Sequence, residues 1–399
     1  IIAIYSKESI KKEITKARLP YFYSTYLLLT TGLLGITITG DIFNLYVFLE
    51  IASLSAYALI AIGEKRSVLA SFNYIIMGTI GACFYLLGVG YIYIITGSLN
   101  IADLSRLLPS LYESKVTLTA LAFFIVGIAI KIALFPLHRW LPDSYTFAPS
   151  AVSAFASATI TKVGIYVLIR ISFTLFEPRF LTKITPLSNI LIWWATIAIF
   201  FGSIIAIGQR DFKRTLSYIL IAEIGYMVLG VSLCNREGFI GAVLHILNDS
   251  VMIACLFMIA GGIFYRLSSR NLEDFRGLNK CMPITMSAFT ISALSMIGIP
   301  PTAGFFSKWY LILGAIKAEH WISAGTLIFS SLTNAIIFFK LLEKVYFTKK
   351  EFLPKYTFRE LPLSMLIPVV ITALAIVVIG FYSGEIISSV IYFAVPAGF

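Results

Sequence analysis

Apolar runs of about 18 residues or more recur along almost the whole chain, with polar breaks of roughly five to twenty residues between them. Counted this way, the sequence predicts eleven membrane crossings, at 21–40, 42–63, 68–96, 115–142, 149–175, 187–208, 213–234, 238–265, 283–317, 321–346 and 362–382. The fourth and ninth contain prolines, Pro136 in one and Pro300 with Pro301 in the other, so each is expected to be a discontinuous helix. Transmembrane strands would appear as alternating segments of about ten residues, and none is visible. The predicted fold is therefore an all-α membrane protein. Broken helices in two corresponding positions are the mark of paired repeats, and an odd number of helices in each requires the second copy to be inverted. The expected divisions are a charged segment at 1–20, a first five-helix repeat at 21–176, a second at 187–346, and a C-terminal helix and tail at 362–399.

Composition agrees, at 59% hydrophobic and 13% charged, far from a soluble globular domain. Charge adds a direction. Of the 31 Lys and Arg residues, 20 fall in the N-terminal segment and in the alternate connections near 65, 139, 210–214, 266–280 and 344–359. Seven fall on the other side and four lie inside crossings. The positive-inside rule then predicts a cytoplasmic N-terminal segment and an external C-terminus. That bias, with contact to anionic lipid, accounts for the net charge of +11 without any nucleic acid. Cys83, Cys234, Cys255 and Cys281 are scattered with no C-x-x-C pair, which argues against iron–sulfur or zinc sites. There is no G-x-x-x-x-G-K-[ST] phosphate loop, so any driving energy must come from an ion gradient or from partner subunits. The chain opens at Ile1 rather than Met with a charged stretch unlike a signal peptide, and a fragment of a longer protein is one expectation.

Candidate chemistry stands out against the apolar background. Glu50, Lys131, Lys162, Glu223 and Lys308 each lie within a crossing. A charge at the bilayer centre costs about 2.5–3.5 kcal/mol on insertion scales, so such residues face a protein interior or a wet path. Lys131 precedes Pro136 by five residues, and Lys308 follows Pro300 and Pro301, so both lysines sit beside helix breaks that free backbone carbonyls. Lys162 is preceded by Ser153, Ser157, Thr159 and Thr161, which either close helix–helix contacts or line a hydrated channel. His245 and Asp249 are four residues apart on one helix face, a protonatable pair or a helix–helix hydrogen bond. Two ligands do not hold a metal, and none is expected. Lys340, near a helix end, is expected to snorkel. Buried titratable groups beside broken helices point to an ion pathway.

The stretches GDIFNLYVFLEIASLSAYAL, KIALFPLHRWLPDSYTFAPSAVSAFASATITKVGIYVLIR, DFKRTLSYILIAEIGYMVLG and GIPPTAGFFSK resemble the antiporter-like family. That family comprises the large subunits of Mrp cation/proton antiporters, the proton-pumping membrane subunits of respiratory complex I, and relatives in archaeal membrane-bound hydrogenase and sulfane reductase complexes. The resemblance implies that Glu50 and Lys131 form the coupled acid–lysine pair of one half-channel, that Lys162 is the connecting lysine, and that Lys308 serves the other half-channel. Fourteen helices with both termini external are usual in the family, so a chain lacking the first three would begin in the cytoplasm. One departure stands out: relatives often carry H-x-x-x-H-x-x-x-K where this chain has His245, Asp249 and Ile253. Either Asp249 or Glu223 restores a relay, or the chain is a scaffold without a full ion path.

The expected function is proton translocation, or Na+/H+ antiport, by one membrane subunit of a multisubunit respiratory or antiporter complex. The relay would run through Glu50, Lys131, Lys162, Glu223, His245, Asp249 and Lys308. No cofactor or redox site of its own is expected, and redox energy would arrive from a partner subunit of hydrogenase, sulfane reductase or NADH dehydrogenase type.

Overall fold

The computed structural model describes residues 1–63, 65–347, 360–396 and 398–399. A short amphipathic helix, α1 (Ile2–Glu13), leads into α2 (Leu19–Ile38), α3 (Ile42–Ala61), α4 (Lys65–Thr96), the short α5 (Ile101–Leu107), α6 (Lys115–Lys131), α7 (Trp140–Phe147) and α8 (Ser150–Arg170). The chain continues through α9 (Leu187–Ile207), α10 (Phe212–Ser232), α11 (Arg236–Leu267), α12 (Pro283–Ile297), α13 (Ala303–Lys317), α14 (Trp321–Tyr346) and α15 (Leu363–Phe381). Nine unbroken helices among the described residues are long and apolar enough to cross a membrane. The other two expected crossings are the broken pairs α6–α7 and α12–α13. No strand forms among the described residues. The protein is a multi-pass integral membrane protein. Part of the basic connection expected at 344–359, from 348 onward, lies outside the described residues.

The same joint is built twice. Asp41 caps α3, its Oδ1 accepting from the Phe43 and Asn44 N–H groups at 2.8 Å, and pairs in an isolated antiparallel bridge with Asn100. Asp211 likewise caps α10, accepting from the Arg214 N–H at 3.1 Å, and bridges to Asn271. Flanking bonds match: Ile42 N–H donates to Leu99 O at 2.9 Å, and Phe212 N–H to Arg270 O at 2.8 Å. Above each joint a glycine allows close helix contact. A Cβ on Gly32 would come within 2.7 Å of Ala52 N, and one on Gly202 within 2.9 Å of Ala222 N. Small residues at such crossings let helix backbones approach, which is how helices associate where no hydrophobic effect acts between them.

Both breaks occur as expected, but the first is broader. The α6 helix ends at Lys131, residues 132–139 are unwound, and the second half runs to Phe147 rather than stopping near 142. Two carbonyls at this break accept from indoles: Trp140 Nε1 donates to Ile130 O at 3.0 Å and Trp194 Nε1 to Phe135 O at 2.5 Å. This satisfies the requirement that non-helical backbone at membrane depth be buried in protein. In the second break, Gly298 ends α12 with φ +95°, a left-handed geometry that a side chain would disfavour. The Phe135–Pro136 and Pro300–Pro301 peptides are both cis.

At one end of the bundle, α1 is fastened by Tyr5, whose hydroxyl donates to Met258 O at 2.8 Å. Glu13 accepts from Ser150 N–H, the first amide of α8, at 2.8 Å. The buried Lys213 donates to Ser150 Oγ at 3.1 Å and to Ala148 O at 3.2 Å. Burial raises the Glu13 carboxyl above its ordinary range, opposed by Lys213 and by the Ser150 hydrogen bond.

Candidate functional site

Three charged nodes lie in the interior of the helical bundle. The first joins α3 to the end of α6. Lys131 Nζ donates to Glu50 Oε1 at 2.9 Å and to Ser53 Oγ, one turn along α3, at 2.8 Å. Lys131 is 8% exposed and Glu50 23%, so this node is less enclosed by the chain than the other two. The break at 132–139 stops α6 at the lysine itself, where a continuing helix would have carried on past Glu50.

The second node joins α8 to α11, and so connects the two halves of the chain. Lys162 Nζ lies 2.6 Å from Asp249 Oδ2, with the two side chains 4% and 0% exposed. Its other partner is the Ser157 carbonyl at 2.7 Å. Asp249 Oδ1 and Thr161 Oγ1 are buried beside them with no partner among the described residues.

The third node gathers α10, α11, α13 and α14. Glu223 Oε2 is 2.6 Å from His245 Nε2, and its Oε1 accepts from Asn334 Nδ2 at 3.2 Å and lies 3.6 Å from Lys308 Nζ. The other ring nitrogen, His245 Nδ1, is 2.9 Å from Ser307 Oγ. Lys308 Nζ donates to Met296 O at 2.6 Å, a carbonyl freed by the second break, which Asn334 Nδ2 also approaches at 3.3 Å. The ammonium sits 5.1 Å from the centroid of the Tyr226 ring, a cation–π distance. Glu223 and His245 have no exposed surface.

All seven residues of the expected relay therefore lie in these nodes, though not always with the partner their spacing implied. His245 and Asp249 share a helix face but do not pair. His245 is taken by Glu223 from α10, and Asp249 by Lys162 from α8. The carboxylate of Glu50, which has no charged neighbour on its own helix, finds its countercharge across the bundle. Ile253, where relatives often place a lysine, is fully buried among apolar side chains. Ser53, Ser307 and Asn334 carry no signal in the sequence. They are neutral polar residues in apolar helices, and only contact with a charged partner distinguishes them. Glu13 and Lys213 read in the sequence as connection residues, yet they form a buried cluster with Ser150.

The family model described as NADH:quinone oxidoreductase/Mrp antiporter, transmembrane, matches residues 39–333. The chain is 48% identical over 389 residues to NADH-quinone oxidoreductase subunit N of Desulforudis audaxviator, covering 94% of this chain and 77% of that one. It is 38% identical over 309 residues to an Na(+)/H(+) antiporter subunit of Alkalihalophilus pseudofirmus, covering 76% of this chain and 61% of that protein. A chain in the structure of the membrane-bound sulfane sulfur reductase, an archaeal respiratory membrane complex, superposes with a TM-score of 0.90 at 32% identity, covering 99% of this chain and 79% of its own length.

Proposed function

Because this chain belongs to the NADH:quinone oxidoreductase/Mrp antiporter transmembrane family, we propose that it is an ion-translocating membrane subunit of a multisubunit respiratory or antiporter assembly. Protons move along Glu50, Lys131, Lys162, Asp249, Glu223, His245 and Lys308. The observation that supports this most directly is the Lys162–Asp249 contact, which links the two halves of the chain between flanking Glu50–Lys131 and Glu223–His245–Lys308 nodes.

The chemistry follows from the contacts. A proton arriving on Glu50 removes the countercharge of Lys131, and a buried ammonium without a countercharge gives up its proton. Interacting groups titrate as a unit, so a change at one node alters its neighbours. Sodium is a weaker candidate than the proton as the ion carried, since hard cations need several clustered oxygens. Redox energy, where used, comes from a partner subunit. The assignment of 21–176 and 187–346 as inverted repeats is supported by the recurring Asp–Asn joints and glycine crossings. The bias of basic residues supports a cytoplasmic N-terminal segment and an external C-terminus.

The scaffold reading draws on the buried Ile253. Against it, Asp249 at the altered histidine position holds Lys162 at 2.6 Å and so keeps the halves in contact. The test is Lys131→Ala in membrane vesicles bearing the whole assembly. Loss of proton movement, read with a pH-sensitive dye, is expected. Undiminished transport with an intact assembly would establish the scaffold instead.

A further inference from the structure

One corner of the bundle differs between the halves although the joint beneath it is the same. Over the Asp41–Asn100 bridge, α8 closes the gap at the end of α2. There, Tyr166 donates its hydroxyl to Thr37 O at 3.1 Å, and Arg170 reaches Ile36 O at 3.5 Å. Over the Asp211–Asn271 bridge, α14 lies alongside the end of α9, and the matching positions carry Ile336 and Lys340. Ile336 has no hydroxyl to donate, and a cavity of about 470 Å³ remains. A second change accompanies the first. The residue before the capping aspartate is Gly40 in one joint and Arg210 in the other, and Arg210 lines the cavity.

The lining combines two kinds of surface. Arg210 and Lys340 have no acidic partner among the described residues. The one acidic group on the wall, Glu273, is held by Lys344 at 2.7 Å and by Arg276 at 2.6 Å and so offers little repulsion to an anion. Beside the basic pair, Ile207 and Ile336 line the cavity and are also exposed on the outer surface of crossing helices, with Phe339 next to them. Such a surface faces acyl chains. A basic pocket between transmembrane helices, opening onto an apolar flank, suits an anionic headgroup with its tails still in the bilayer. A free phosphate would have no use for the flank.

We propose that this cavity binds the phosphate of an anionic membrane phospholipid, with Arg210 and Lys340 on the headgroup and the acyl chains along Ile207 and Ile336. At the matching corner of the first half, Tyr166 and Arg170 instead bridge to the Thr37 and Ile36 carbonyls. The test uses the purified assembly in discs of phosphatidylcholine containing a minor fraction of cardiolipin, with lipid retained after detergent extraction measured by mass spectrometry. Wild type is expected to retain cardiolipin selectively. Arg210→Gln/Lys340→Gln should retain about thirtyfold less, the scale expected for two basic side chains near anionic headgroups, while Arg106→Gln/Lys115→Gln behaves as wild type. Equal retention by the first variant overturns the proposal. So does displacement of the lipid by millimolar inorganic phosphate, which would make the site one for the free ion. Should the variant fail to assemble, density maps of wild type decide. Headgroup density in this cavity in cardiolipin discs but not in phosphatidylcholine discs supports the proposal, and an empty cavity in both refutes it.

Discussion

Replacing Lys162 with Met strands Asp249 without its countercharge, at a place where neither side chain reaches solvent. The two groups lie 2.6 Å apart and are 4% and 0% exposed. Removing one member of a buried ion pair costs about 3–5 kcal/mol, because the remaining charge is uncompensated. Replacing both with apolar residues of similar volume is neutral or even stabilising, by about 1–4 kcal/mol. Lys162→Met and Asp249→Leu are therefore each expected to lower the unfolding midpoint of the purified assembly sharply, and the double variant to recover most of the loss. Transport should respond differently, absent in both single variants and equally absent in the double, since apolar residues hold no proton. The assays are denaturant unfolding in detergent and dye-monitored proton uptake in vesicles. A single variant as stable as the double would show that the pair is not buried and coupled as described. A stable double variant that still pumped would remove this pair from the ion path.

Glu13 gives a pH-dependent prediction. Its carboxyl lies above the ordinary value of 4.5, so the folded chain favours the protonated form. The stability this provides is complete below that value and is lost as pH rises through the folded one. Glu13→Gln should thus match wild type in acid and melt higher at neutral pH, and a variant that melts lower at neutral pH would mean that the charged form is the favoured one. Gly202→Ala drives a Cβ to within 2.9 Å of Ala222 N and should cost about 1–3 kcal/mol. Gly325→Ala, with no atom within 4 Å, should be neutral or slightly stabilising in the same melts. Asn334→Leu removes donors to Glu223 and to Met296 O and should cost about 1–3 kcal/mol. It should also slow proton uptake, and unchanged uptake would exclude Asn334 from the relay.

The charged members of the nodes were legible in the sequence because Glu50, Lys131, Lys162, Glu223 and Lys308 interrupt apolar runs where each is costly. Helix count was legible for a similar reason: run length sets crossings. Partner choice was not. The i, i+4 spacing of His245 and Asp249 says that they share a face, but tertiary packing brings a different helix to each. Asn334 was hidden because an uncharged amide in an apolar helix gives no signal until a carboxylate is found beside it. The breadth of the first break was also hidden, since a proline fixes where a helix must fail and not how far the chain stays unwound. The unwound stretch at 132–139 is held by Trp140 and Trp194, and the second of these comes from the other half of the chain.

The Lys308 ammonium is shared between Met296 O at 2.6 Å and Glu223 Oε1 at 3.6 Å. One side chain thus contacts both the carboxylate of the buried node and a carbonyl of the unwound backbone. Swinging fully toward the carboxylate would leave that carbonyl with Asn334 alone, so the position of this ammonium is tied to the mechanical state of the helix break.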